Sequence, residues 1–144
     1  MNLNNFTLKA QESFQQASNI AESKGQQALE CAHLLRGIIS EAEGICEFIF
    51  GKMGVSIQPL IRDLEKLISS YPKVTGAETY ISPSVSEAVR KANKYASEMK
   101  DKFITTEHLI LGIFDTTNDV SHVLKDHGVT LKALKAAIEE LRKG

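Results

Sequence analysis

Apolar residues recur along the chain at steps of three and four, the spacing that gathers side chains on one face of an α-helix. Phe6, Ala10, Phe14, Ala17 and Ala21 make the first such stripe. Gly25 is placed to end it, because glycine takes the left-handed conformation after a helix without strain. A second helix is predicted through His33-Leu34-Leu35-Arg36-Gly37-Ile38-Ile39, and a third over 45–52 with a stop near Gly54. Ser56 suits an N-cap for a fourth, which carries Ile57, Leu60, Ile61, Leu64, Leu67 and Ile68 inward. Pro59 falls in its first turn, where the missing N–H costs little. No stretch sustains the period of two that marks a half-buried strand, so no strand is predicted.

The plan then returns. Ser82-Pro83 is an N-cap followed by proline at the first helical position, and Val85, Val89, Ala92, Ala96 and Met99 form the next stripe. Thr105 caps a helix through His108-Leu109-Ile110-Leu111-Gly112-Ile113, a short helix covers 120–125 before Gly128, and Thr130 caps a last one with Leu131, Leu134, Ile138 and Leu141 inward. A shift of 75 residues lays 6–39 over 81–114 and matches Glu12/Glu87, Ala17/Ala92, Ala21/Ala96, His33/His108, Leu34/Leu109, Gly37/Gly112 and Ile38/Ile113. With one residue deleted the match resumes at a shift of 74: Gly54-Val55 over Gly128-Val129, and Leu60, Glu65 and Leu67 over Leu134, Glu139 and Leu141. The expected fold is all-α: one domain over 1–144 built of two tandem four-helix repeats, 3–70 and 82–143, joined by a linker over 71–81.

Composition supports one globular domain and narrows its partners. The chain has 144 residues, 42% of them apolar and 24% charged, which is enough to bury a core without disulfide or metal. The formal net charge is −1, no basic footprint for nucleic acid, and with no Trp and 6% aromatics a stacking platform for single strands is not expected. No apolar run approaches a membrane span, and the first residues lack the basic and apolar regions of a signal peptide. Cys31 and Cys46 form neither a CxxC nor a four-ligand zinc site and read as ordinary thiols of a reducing cytosol, so a cytoplasmic location is expected.

Candidate chemistry is sparse. Gly51-Lys52 is followed by Met53, and Cys46 stands where a phosphate-binding loop needs its first glycine. His33 and His108 occupy equivalent places at helix starts and read as structural, the rings serving backbone or cap groups. His122 and His127 are five apart and do not share a helix face. No catalytic or metal site is expected. One difference between the copies stands out: Asp101 and Glu107 flank the start of the sixth helix where the first copy has uncharged Gln26 and Ala32. That divergence fits one copy acquiring a task; it equally fits a carboxylate favouring a helix dipole and another solvating a loop.

Phe6-Thr7 with Ala10-Gln11-Glu12, the two segments Glu30-Cys31-Ala32-His33-Leu34-Leu35 and Thr105-Thr106-Glu107-His108-Leu109-Ile110, and the Gly-Val-Ser/Thr turns resemble the Clp N-terminal repeat of Clp-type AAA+ unfoldases and disaggregases over 3–144. Asn4-Asn5-Phe6-Thr7 and Tyr71-Pro72-Lys73-Val74-Thr75-Gly76 look most like the disaggregase, or ClpB, branch. Cys31 departs from the pattern, where Pro or Thr is common. The resemblance implies a substrate-recruiting domain with no cofactor of its own, tethered to ATPase rings that use ATP and Mg; the domain alone is expected to be a monomer and the parent a hexamer. It implies a polar trio at Thr7, Asp101 and Glu107 tied to handling of aggregates, and unfolded or aggregated polypeptides as partners. Leu8, Ile81 and Phe103 are candidate apolar contacts beside the trio, though each would also suit a core. The alternatives are an adaptor-docking domain, as in the protease-feeding ClpA and ClpC branches, and a structural module affecting ring assembly. Leu141-Arg142-Lys143-Gly144 breaks off the last helix abruptly and is expected to lead into a linker.

Overall fold

Thr7 stops the chain being extended and starts it being helical: its hydroxyl accepts from the Ala10 N–H at 3.2 Å, capping α1 (Leu8–Ser23). In the computed structural model, which describes residues 2–76 and 78–144, the remaining elements are β1 (Ala28–Leu29), α2 (Cys31–Glu41), α3 (Glu43–Lys52), α4 (Ile57–Ser70), β2 (Tyr80–Ile81), α5 (Pro83–Glu98), α6 (Thr106–Phe114), α7 (Asp119–Asp126) and α8 (Leu131–Lys143). Met1 and Ala77, the latter inside the expected linker, lie outside the described residues. The eight helices among the described residues fall into two similar sets, as the duplication requires.

The tightest packing in each set is helix one on helix two, α1 on α2 and α5 on α6. Both contacts are made through backbone. A Cβ on Gly37 would overlap the Ser13 carbonyl oxygen and stand 3.0 Å from the Ala17 nitrogen; one on Gly112 would overlap the Ala88 carbonyl oxygen and stand 3.0 Å from the Ala92 nitrogen. Two of the seven matched pairs, Ala17/Ala92 and Gly37/Gly112, are therefore the two sides of one close crossing. The crossing drives α2 and α6 into the middle of the molecule, where Leu34, Leu35, Ile38, Leu109, Ile110 and Ile113 are fully buried. The sets share one core: α2 also meets α5, α6 and α7, α3 packs on α8, and α4 packs on α7.

The sets also exchange backbone. Phe6 bridges Ile104 in parallel, while Leu29 in β1 pairs with Ile81 in β2. Adding 75 to 6 and to 29 gives 81 and 104, so each copy lends its opening segment to the other by the same rule. The Thr7 N–H donates to the Ile104 carbonyl at 3.0 Å, and the equivalent Ser82 N–H donates to the Leu29 carbonyl at 3.1 Å. These strands were not predicted because a two-residue pairing is too short to show a period. Phe6, predicted as the start of the helical stripe, lies just before α1 and packs edge-on against Phe14, ring centres 5.5 Å apart. Ser56 precedes α4 as expected, but its hydroxyl makes no cap hydrogen bond.

Gly25 follows α1 at φ +67°, and Lys100, its equivalent after α5, holds the same left-handed turn at φ +59° with a side chain attached. Among the described residues no helix is long and apolar enough to cross a membrane.

The crossing makes a signed prediction. Alanine normally stabilises a helix relative to glycine by about 1 kcal/mol, and Gly51→Ala on exposed α3, where nothing lies within 4 Å, should do so in urea denaturation. Gly112→Ala should instead destabilise by roughly 2–3 kcal/mol through forced separation of α5 and α6. A stabilised Gly112→Ala would show that the helices do not touch there.

Candidate functional site

The two matched histidines do one structural job and then diverge. The Glu30 N–H donates to Nδ1 of His33 at 2.9 Å, and the Thr105 N–H donates to Nδ1 of His108 at 2.9 Å. Each ring thus satisfies an orphan backbone donor at the start of α2 or α6. A ring that accepts at Nδ1 carries its hydrogen on Nε2 and is neutral. In the first set Nε2 of His33 donates to Oε1 of Gln26 at 2.7 Å, and Nε2 of Gln26 donates to the Ile68 carbonyl at 2.6 Å. The network is buried and uncharged.

In the second set the same positions carry charge. Nε2 of His108 donates to Oδ2 of Asp101 at 2.9 Å, and Asp101 is the residue equivalent to Gln26. Nη1 of Arg142 lies 2.7 Å from that same oxygen, and Arg142 is equivalent to Ile68 under the shift of 74. Nη2 of Arg142 reaches Oε2 of Glu107 at 3.5 Å, while Oε1 of Glu107 accepts from the Thr106 hydroxyl at 3.2 Å. Burial works to raise the Asp101 pKa, but Arg142 and then His108 outweigh it, and its carboxyl lies below the ordinary carboxylate range. Burial holds His108 below the usual imidazole value, against the opposing pull of Asp101.

The structure divides the six candidates. Thr7 and Leu8 follow Phe6, and Phe103 precedes Ile104, so these three flank the one bridge between the two segments; Asp101 lies two residues before Phe103 on the same loop. Leu8 is 72% exposed and Phe103 44% exposed, so neither is core. Lys102 Nζ lies 5.7 Å from the centre of the Phe103 ring. Glu107 is only 8% exposed and faces Arg142 more than solvent. Ile81 lies at the other bridge, half-buried beside Leu29 in a shallow groove of about 210 Å³ shared with Leu3, Gln11, Phe14 and Tyr80. Thr7 spends its hydroxyl as the α1 cap. Sequence reasoning missed Arg142, although a signal existed: it is the charged residue where the first copy buries Ile68.

Two further polar pairs join the first set to the second. His127 meets Asp63 at 2.7 Å across α7 and α4, and the Tyr71 hydroxyl donates to Asp119 at 2.7 Å. Burial pushes both free thiols, Cys31 and Cys46, up to about 12. Among the described residues no group of three or more His, Cys, Asp or Glu side chains is placed to hold a metal ion.

Two duplicated helical sets exchanging their opening segments, with a charged cluster on the second, define a Clp-type N-terminal module. The family model described as Clp repeat (R) N-terminal domain matches residues 5–127, and the chain belongs to that family. A chaperone protein ClpB of Bacteroides thetaiotaomicron is 46% identical over 144 residues, covering 100% of this chain and 17% of that protein. The chain thus spans about a sixth of the length of this curated relative. The crystal structure of the Hsp104 N-terminal domain from Candida albicans superposes with a TM-score of 0.84 at 19% identity, over 96% of this chain and 92% of that one. A complex of the ClpV N-domain with a VipB peptide superposes with a TM-score of 0.73 at 13% identity, over 94% and 88%. These two likenesses establish the fold.

The histidine geometry predicts an acid-sensitive fold. Unfolded, His33 takes its proton near 6.5; folded, burial delays this to about 4. Between those values the unfolded chain binds the extra proton, so stability rises with pH across the window and is lost as pH falls through it. Urea midpoints measured from pH 7 to 4 should therefore decline. His33→Gln should start roughly 1–3 kcal/mol less stable, with a buried donor left unpaired, and show a flatter decline. An equally steep decline in the variant would remove His33 from the account.

Proposed function

We propose that this domain recruits unfolded polypeptide to a Clp ATPase of the disaggregase kind, holding apolar client segments on the face that carries Leu8 and Phe103. The observation that carries the reading is the exposure of these two large apolar side chains beside one backbone bridge, next to a loop carboxylate. Apolar contact is non-directional and gains about 25 cal/mol per Å² buried, so such a face grips greasy segments without choosing a sequence. Asp101, on the rim, accepts from client N–H groups through the oxygen that Arg142 and His108 leave open; Thr7 and Glu107 hold the frame around it. The affinity of one domain is low, since ordering a flexible client opposes the gain, and several domains on a ring compensate by avidity. The domain performs no reaction: ATP and Mg act elsewhere in the parent, a hexamer in this reading. The ClpB relative and the peptide held by the ClpV N-domain support the proposal.

An NMR titration with a reduced, alkylated protein that cannot fold tests the reading. Resonances around Leu8, Phe103 and Asp101 should move on addition of client. Leu8→Ser together with Phe103→Ser should weaken binding at least tenfold, the equivalent of about 1.4 kcal/mol, with helix content unchanged. Unchanged binding in that double variant rejects the site. Saturable binding to one folded adaptor and none to the unfolded chain would instead favour the adaptor-docking role.

A further inference from the structure

We infer that Arg142 is the positioning residue of the recruiting face: it locks the Asp101 carboxylate onto His108 and supplies the counter-charge for Glu107. The inference rests on the function proposed above and adds a residue to its site. Three observations converge on it. Arg142 Nη1 and His108 Nε2 approach one oxygen of Asp101, at 2.7 and 2.9 Å, which pins the carboxylate from two elements, α8 and α6. Arg142 Nη2 is the cationic group nearest Glu107, a carboxylate otherwise held by the Thr106 hydroxyl and buried at the start of α6. The three charged positions are occupied together in the second set and are all uncharged in the first, Gln26, Ala32 and Ile68, where a hydrogen-bonded amide does the same bracing of the histidine.

The replacement has a chemical consequence. In the first set the bracing ends in a backbone carbonyl and nothing faces outward. In the second it ends in an ion pair whose side chains remain about a third exposed, 28% for Asp101 and 32% for Arg142. Arg142 therefore converts an internal brace into a surface carboxylate of set orientation. Oδ2 of Asp101 takes both contacts, from Arg142 and His108, so the pinned carboxylate presents Oδ1 to N–H donors of an extended client.

The groups that face Asp101 are His108 from α6 and Arg142 from α8, the latter shared with Glu107, with Lys100 and Lys102 flanking Asp101 on its own loop. Carbon-detected NMR of the side-chain carboxyls in the client-free domain reads the positioning directly. In Arg142→Gln the Asp101 titration midpoint should rise by about one pH unit, and in Arg142→Lys it should return most of the way. Affinity for an unfolded client should fall at least fivefold in Arg142→Gln and stay within twofold in Arg142→Lys. An Asp101 midpoint unmoved in a folded Arg142→Gln variant overturns the inference. If the wild type binds no unfolded client, the recruiting function fails, and the client-free titration still decides the role of Arg142.

Discussion

The fold depends on a backbone-to-backbone crossing made twice. Where Gly37 meets Ser13 and Ala17, and where Gly112 meets Ala88 and Ala92, no side chain fits between the helices. This closeness puts α2 and α6 at the centre of the molecule, covered on several sides, and explains why they are apolar nearly all round while α4 and α8 are amphipathic. A central helix cannot leave its first N–H groups to solvent. The histidine three residues into each helix answers that need by accepting the N-cap N–H with its ring. Crossing and cap are thus one device, and the matched pairs Ala17/Ala92, His33/His108 and Gly37/Gly112 are its parts.

A device used twice permits a change in one copy. The first set closes its histidine with neutral groups, the safe solution in a buried place, because ionic groups lose solvation that pairing only partly restores. The second set uses Asp101, Glu107 and Arg142, and does so where Asp101 and Arg142, on the loop before α6 and at the end of α8, keep part of their side chains exposed. The left-handed Lys100 just before Asp101, where the first copy has glycine, adds local strain at the same spot. That cost falls on one surface loop beside exposed Phe103 and Leu8, the place of the proposed recruiting face.

Much of this was legible in the chain. The helices, their caps at Thr105, Thr130 and Ser82, and the duplication follow from periodicity and matched residues, since these are local signals. The crossing was visible only as two glycines matched between the copies; that they exclude a Cβ depends on partners 20 and 24 residues away along the chain. The exchange of Phe6 and Ile81 between sets was hidden, because a bridge of one or two residues leaves no pattern. Asp101 and Glu107 were found by comparing copies, and the same comparison extended to the last helix reaches Arg142. Which bridge Ile81 joins was hidden too, because its apolar character does not say that it pairs with Leu29 and not with Ile104.

The central claim is that the charged trio of the second set, absent from the first, makes a client-recruiting face without being needed for folding. The most direct measurement converts one copy into the other: Asp101→Gln, Glu107→Ala and Arg142→Ile in one domain, with client affinity and thermal melting followed together. The account predicts a domain that melts within a few degrees of the wild type and binds unfolded polypeptide at least tenfold more weakly. A well-folded triple variant that binds the client as tightly as the wild type would contradict it.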